Sequence, residues 1–333
     1  MSEIKRLNLQ LFAEANTNTT ADTGMSVEMK TFYSDYIIDN AEAKLVHDQF
    51  AQKHPIPKNG GKTIEFRKLA PLPKALTPIT EGVTPDGKKM TWSKLEATIQ
   101  QYGDYIELTD MLLLSAIDDN LVHATRILGV QAGETLDTIT REVLNGGTNV
   151  QYAEGQVSAR NALVGGKESG NHYLTVKAVQ MAARFLKTQK AEKINGYYVA
   201  IAHPDVLFDL MRDPEWISAS EYAGSTQVFE GEVGKIAGVR FVETTEAKIF
   251  AGAGAEGRDV YSTLVLGADA YGTTEITGGG LQHIVKQLGS SGTADPLNQR
   301  ATVGWKATKV SERLVESFMI RIETASTFAS GAN

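Results

Sequence analysis

Apolar positions recur with one spacing between Ile117 and Val143. Ile117, Leu121, Ala124, Leu128, Ala132, Leu136, Ile139 and Val143 follow at steps of three or four, the spacing of a single helix face. The pattern predicts a helix over Asp118–Asn145. Asp118 and Asp119 stand at its positive end, and Asn145-Gly146-Gly147 offers residues that tolerate a left-handed stop. These 28 residues at ~1.5 Å each make a rod of roughly 42 Å. Only one face is apolar, and the stripe is mixed with alanine. The helix is therefore expected as a spine with sheets laid along it, not as a membrane span or a coiled coil.

Upstream the pattern changes to alternation. Six of the nine prolines lie between Pro55 and Pro85, so no helix runs through that region. Lys62–Lys68 alternates, with Ile64 and Phe66 on one face. Lys88–Tyr102 is extended as well, with Met90 and Trp92, then Leu95, Ala97 and Ile99 after a change of phase that predicts a bulge. The proline-rich polar stretch between them is no core. The region reads as a long β-hairpin reaching out of the body, and the alternation on both sides favours this over a loose surface loop. A two-stranded ribbon is marginal alone in water, so it is expected to lie on another subunit.

Thr109 caps a short helix before the spine. Thr175–Gln189 has the spacing of an amphipathic helix through Val176, Val179, Ala183 and Leu186. Tyr197–Ala202 reads as a buried strand, and Pro204 opens a further helix at a first-turn position. Strands follow at 239–244, 259–270 and 282–288. Residues 300–324 return as two long strands, the second with Leu314, Phe318, Ile320 and Ile322 on one face, both expected against the spine. Ahead of all this, residues 1–24 read as a polar arm, and Met25–Phe50 as one or two helices.

Composition narrows the function. Hydrophobic residues make up 42% and charged ones 22% of 333 residues, ordinary for a soluble chain with a sizeable core. Cysteine is absent, which excludes disulfides, thiolate metal sites and cysteine nucleophiles and fits a reducing compartment. No apolar run is long enough for a membrane helix, and the opening residues lack the apolar core of a signal peptide. The net charge of −7 argues against a sequence-reading nucleic-acid binder.

Charge is unevenly spread. From Lys53 to Lys94 nine Lys or Arg face three acids, whereas from Asp104 to Glu142 eight acids face two Arg. The asymmetry predicts that one part of the molecule meets another, in the same or a neighbouring copy. The candidate basic surface is Lys58, Lys62, Arg67, Lys68, Lys74, Lys88 and Lys89 on the hairpin. The candidate acidic surface is Asp110, Asp118, Asp119, Glu134 and Asp137 on the spine and its lead-in.

Catalytic motifs fail on context. Gly252–Gly257 spells G-x-G-x-x-G but precedes a strand pattern, so a hairpin turn is the better reading. Gly60–Thr63 resembles the end of a phosphate loop, but Ile56 stands where its first glycine belongs and a strand follows. His203-Pro204-Asp205 joins a strand to a helix, where Asp205 serves first-turn electrostatics. The six histidines never reach metal-ligand spacing. Asp118 and Asp119 are adjacent on a helix and do not face each other. No enzyme, cofactor or metal is expected.

The order of parts resembles a known family: arm, basic hairpin, spine, α/β lobe, closing strands. Pro78–Pro85 (PITEGVTP), Tyr197–Ile217 (YYVAIAHPDVLFDLMRDPEWI), Gly304–Val310 (GWKATKV) and the opening LNLQLFA are similar to the major capsid proteins of tailed phages, nearest to the coliphage N-four type. The resemblance implies an α+β chain of the Hong Kong 97-type fold. Its parts would be an arm (1–24), a helical segment (25–58), the E-loop hairpin (59–108), spine and P-domain (109–169), an A-domain (170–290) and P-domain return strands with a tail (291–333). It further implies self-assembly into pentamers and hexamers of an icosahedral shell around double-stranded DNA held without sequence preference. A portal would be needed, and a separate scaffolding protein, since the long scaffolding extension of some relatives is missing. The product would be a virion component assembled in the host cytoplasm. Two alternatives stay open: an encapsulin-type nanocompartment shell, and an α/β enzyme with an unusual lid.

Overall fold

The computed structural model describes residues 17–18, 46–69, 72–84, 86–116, 120–153, 158–165, 172–223, 234–274, 280–290 and 295–328. In chain order the elements are β1 (Thr17–Asn18), β2 (Gln52–Lys53), β3 (Thr63–Leu69), β4 (Trp92–Thr98), β5 (Gln100–Thr109), α1 (Asp110–Ser115), α2 (Asn120–Asn145), β6 (Val150–Tyr152) and α3 (Val176–Thr188). There follow β7 (Tyr198–Ala202), α4 (Pro204–Met211), α5 (Pro214–Ala223), β8 (Lys235–Ile236), β9 (Val239–Glu243), β10 (Ile249–Phe250), β11 (Val260–Leu266), β12 (Tyr271–Thr274), β13 (Gln282–Lys286), β14 (Arg300–Arg313) and β15 (Met319–Thr324). They group into two compact units, one of 1–41, 102–132 and 281–307, the other of 42–101, 133–280 and 308–333. Both α2 and β14 contribute residues to each.

The larger unit is built on a seven-stranded sheet in the order β6-β15-β11-β7-β9-β8, with β10 also on β11. Every residue of β7, β11 and β15 is buried, so these strands are covered on both sides. One face packs Ala200, Val265, Ile320 and Ile322 against Val179, Ala183 and Leu186 of α3 and Leu207 of α4. The other packs Val199, Ile201, Leu264 and Met319 against Leu144 of the spine helix, Val46 and Tyr271. The helix ends follow their caps: Thr175 Oγ1 accepts from the Ala178 N–H, and Pro204 occupies the first turn of α4. The Gly252–Gly257 run is the connection of the β10–β11 hairpin.

In the same unit the C-terminal half of α2 is pinned by polar contacts. Lys309 donates to Asp48 and to the Leu136 carbonyl, and Thr140 donates to Asp48 at 2.6 Å. The helix stop differs from the expected left-handed cap: neither Gly146 nor Gly147 has positive φ. Instead Arg313 donates to the Val143 carbonyl at 2.6 Å and Arg321 to that of Asn145. A Cβ at 146 would sit 2.7 Å from Arg313 Nη1, so a side chain there would shift the guanidinium that holds the Val143 carbonyl.

Two further expectations change. The strand predicted through Leu314 and Phe318 is interrupted by a 3-10 turn at Glu316–Phe318. β14 and β15 then enter different sheets, β15 lying between β6 and β11 and so within the α/β lobe rather than among separate return strands. The helices expected over Met25–Phe50 lie outside the described residues except for 46–50, which form a turn. The arm over 1–24 is likewise outside them apart from β1.

The smaller unit contains β1 paired in parallel to Glu107 and Leu108 of β5, β13 antiparallel to residues 302–306 of β14, and β5 beside β14. Thr109 caps α1 through the Leu112 N–H as expected. Leu108, Leu112 and Ala124 form its small core. Gln131 of α2 ties the layers, donating to Asp104 at 2.8 Å and accepting from the Trp305 indole at 3.2 Å.

Candidate assembly surface

The hairpin expected from the alternating region is present. β3 and β4 pair antiparallel in unbroken register from Thr63↔Thr98 to Leu69↔Trp92. The change of phase near Trp92 is therefore not a bulge within the ladder; the ladder ends after Thr98, where the Ile99 N–H donates to the Lys62 carbonyl at 2.8 Å. On one face Ile64, Phe66, Leu95 and Ala97 turn toward the body, where the His54 ring meets Phe66 edge-on at 5.5 Å. An open pocket of about 540 Å³ lies at the root, lined in part by His54, Phe66, Leu95, Leu314 and Val315.

The other face is a quartet of charges. Glu65 stands opposite Glu96, and Arg67 opposite Lys94. Each carboxylate takes its partner from its own strand, Glu65 from Arg67 at 2.7 Å and Glu96 from Lys94 at 2.6 Å. The Arg67 hydrogen bond holds the Glu65 carboxyl below its ordinary range, and that of Glu96 holds the Lys94 ammonium above its own. Arg67 is thus already paired within the ribbon.

Beyond the ladder the tip has no core. Lys74, Lys88 and Lys89 are exposed, as are Lys58 and Lys62 nearer the root, and Lys68 holds its register place opposite Ser93. Between the lysines lie large apolar side chains open to solvent: Leu72, Leu76 (82% exposed), Ile79 (76%), Val83, Met90 and Trp92. The sequence pattern marks Met90 and Trp92 on the second strand, but Leu72, Leu76, Ile79 and Val83 lie in the stretch it reads as polar and proline-rich. The available signal was an apolar residue every few positions in a segment too proline-rich to fold on itself. Large apolar side chains recurring along one exposed segment point to an interaction surface, and Trp and Met are frequent anchors in such surfaces.

The expected acidic partner surface is smaller than its residue count. Asp137 does not belong to it. Its side chain is 1% exposed, accepts the His47 main-chain N–H at 2.8 Å and lies 2.6 Å from His47 Nδ1. It occupies the inward face of the helix, where a partner chain has no access. Asp110 sits in the first turn of α1, accepting the Met111 N–H at 2.8 Å. Glu134 is half-buried on α2. Asp118 and Asp119 lie outside the described residues. Other acids of the block are paired internally, Glu107 with Arg300 at 3.2 Å and Glu142 with Lys248 at 2.8 Å. Burial pulls the Glu142 carboxyl up, but hydrogen bonds from Lys248 and Arg141 outweigh it and hold the group below its ordinary value.

Among the described residues no cluster of His, Asp or Glu has the geometry of a metal site, and no helix is long and apolar enough to cross a membrane. No curated protein matches the chain. Its structure is similar to the capsid structure of the cyanophage P-SCSP1u, at 14% identity and TM-score 0.69 over 94% of this chain and 100% of that one. It is similar as well to the cyanophage Pam1 capsid, at 15% and 0.67 over 95% and 100%, and to the capsid of Ralstonia phage GP4, at 15% and 0.63 over 93% and 98%. A family described as phage capsid protein matches residues 92–310, from the second hairpin strand through the spine and the α/β lobe into β14. The chain therefore belongs to the phage capsid protein family and is a major capsid protein with the Hong Kong 97-type fold.

Proposed function

We propose that this protein self-assembles, through pentamers and hexamers, into a closed icosahedral shell around double-stranded phage DNA, each copy laying its hairpin on a neighbour. The observation that carries this is the hairpin tip, where Leu72, Leu76, Ile79, Val83, Met90 and Trp92 stand open to solvent on a segment that buries nothing of its own. A neighbouring copy gives that row a place to be buried. Repetition around a closed symmetric shell lets each copy donate one arm and receive another.

Charge gives the contact register. The exposed hairpin lysines 58, 62, 74, 88 and 89 lie over the neighbour's acidic spine and lead-in, with Asp110 and Glu134 as its described carboxylates. Arg67 adds little, being paired to Glu65. Opposed patches of this kind steer encounter and fix orientation more than they add affinity.

The protein acts as a structural component of the virion, assembled in the host cytoplasm with a separate scaffolding protein and a portal. It makes only phosphate contacts with the packaged duplex, which are steeply salt-dependent and blind to sequence. Negative-stain microscopy of the purified chain, with and without its scaffolding protein, tests the reading. Closed shells or five- and six-membered rings are expected; monomers under both conditions would overturn it.

A further inference from the structure

Three asparagines in this chain precede glycine: Asn59, Asn145 and Asn195. The missing side chain of the following glycine leaves its backbone nitrogen open to attack the asparagine amide. The three stand in different surroundings, and the differences rank them.

Asn145 is shielded. Its side chain is buried and held at both ends, the amide N–H donating to the Arg141 carbonyl at 2.8 Å and the amide oxygen accepting from Ser262 Oγ at 2.5 Å. The Gly146 nitrogen that would attack is engaged with the Glu142 and Val143 carbonyls at 3.0 and 3.2 Å. Asn59 is exposed, but the Gly60 N–H is held by the Pro57 carbonyl at 2.9 Å, and the space beside Gly60 is filled by Ile56 and Pro57. Asn195 is exposed, and no atom lies within 4 Å of where a Gly196 Cβ would stand. Asn195 and Gly196 have φ of 50° and 87°, the two-residue hairpin turn that Asn-Gly favours. Only the two Ile194–Tyr197 backbone hydrogen bonds, of 2.8 and 3.1 Å, close it. Opening so small a unit is a local event, not global unfolding.

We propose that Asn195 is a site of spontaneous modification, converting to aspartate and isoaspartate with water as the only co-reactant. The Gly196 nitrogen bonds to Asn195 Cγ, the Cγ–Nδ2 bond breaks, and ammonia leaves with the glycine N–H proton. Water then adds to either carbonyl of the cyclic imide and opens it. The isoaspartate product lengthens the backbone by one carbon inside a two-residue turn that leads directly into β7, a strand buried at every position. Both products add a negative charge next to Tyr197, whose ring already carries Lys235 Nζ at 4.7 Å.

The test is peptide mapping by mass spectrometry on the folded, full-length protein, aged in mildly alkaline buffer and sampled over time, with isoaspartate counted by enzymatic methylation. A urea-denatured sample aged in parallel gives the intrinsic rates. The expected result is conversion of Asn195 several-fold faster than Asn59 and no conversion of Asn145 in the folded protein, with the three rates converging in urea. An unchanged Asn195 while Asn59 converts, or an Asn145 that keeps pace with Asn195 in the folded protein, would overturn the proposal.

Discussion

His47 and Asp137 are joined twice, the main-chain N–H of His47 donating to Oδ1 at 2.8 Å while its Nδ1 lies 2.6 Å from Oδ2, with both side chains closed to solvent. The pair fastens the turn at residues 46–50 to the spine helix 90 residues away. His47 Nε2 has no partner in its buried setting, so the imidazole is held through Nδ1 and Asp137 alone. Asp137→Ala leaves two buried polar groups without an acceptor, each worth about 1–3 kcal/mol. The expected loss is about 3 kcal/mol in urea unfolding, with Asp137→Asn losing less because it still accepts the His47 N–H. A loss under about 1 kcal/mol for the alanine variant would mean that the pair contributes no net stability.

Gly103 and Gly304 let β5 and β14 approach closely. A Cβ at Gly304 would lie 2.8 Å from Tyr105 Cβ and 2.9 Å from the Asp104 carbonyl, and one at Gly103 would lie 2.6 Å from the Trp305 carbonyl. Relief requires backbone to move. Gly304→Ala and Gly103→Ala are each expected to cost about 1–3 kcal/mol. The double variant should cost less than the sum, because both insertions force the same two strands apart. Thermal unfolding of the three variants checks this; strict additivity would mean the two contacts are independent.

The end of the spine is acid-sensitive. Glu316 accepts from the Thr148 and Asn149 N–H groups and pairs with Arg313 at 2.9 Å. Burial raises its carboxyl, but these contacts outweigh burial and hold it below the usual 4.5. A folded pKa below the unfolded one means that unfolding takes up protons. This contribution is complete above pH 4.5 and is lost as pH falls through the lower folded value. Glu142, shifted the same way, acts in the same window. Urea midpoints for Glu316→Gln should lie below those of the parent near neutrality and converge with them as pH falls below 4.5. A constant gap at every pH would contradict the assignment.

Charge at the hairpin is expected to show in rates. Assembly followed by light scattering should slow as salt rises from roughly 0.05 to 0.5 M, over which the screening length falls well below 10 Å. Reversing Lys62, Lys88 and Lys89, all exposed, to Glu should slow it further and flatten the salt dependence. Faster assembly with salt in the parent protein would mean that like charges govern the contact.

The parts legible in the sequence are those with local causes. Thr175 and Pro204 mark helix starts because a hydroxyl or a fixed φ acts within its own turn. The spine is visible because one face repeats for seven turns. Long-range pairings were not legible. Nothing near Asp137 announces that His47 will take it inward, and Leu314–Phe318 continue an apolar alternation that the turn at Glu316 breaks. At the hairpin the charges were counted correctly but their partners were not. Glu65 lies two residues from Arg67, and only the ladder shows them paired. The tip is legible as an arm expected on another subunit, but the apolar side chains it would bury there are not, because proline content excludes a core without naming a contact.

The central claim is that the hairpin tip joins copies and does not stabilise its own. Deleting residues 69–86 and closing the gap with a short turn tests it most directly, through sedimentation velocity and electron microscopy alongside a thermal melt. The account predicts a soluble chain with the parent's melting temperature that forms no shells or rings. Shells that still form without the tip, or a deleted chain that no longer folds, would contradict it.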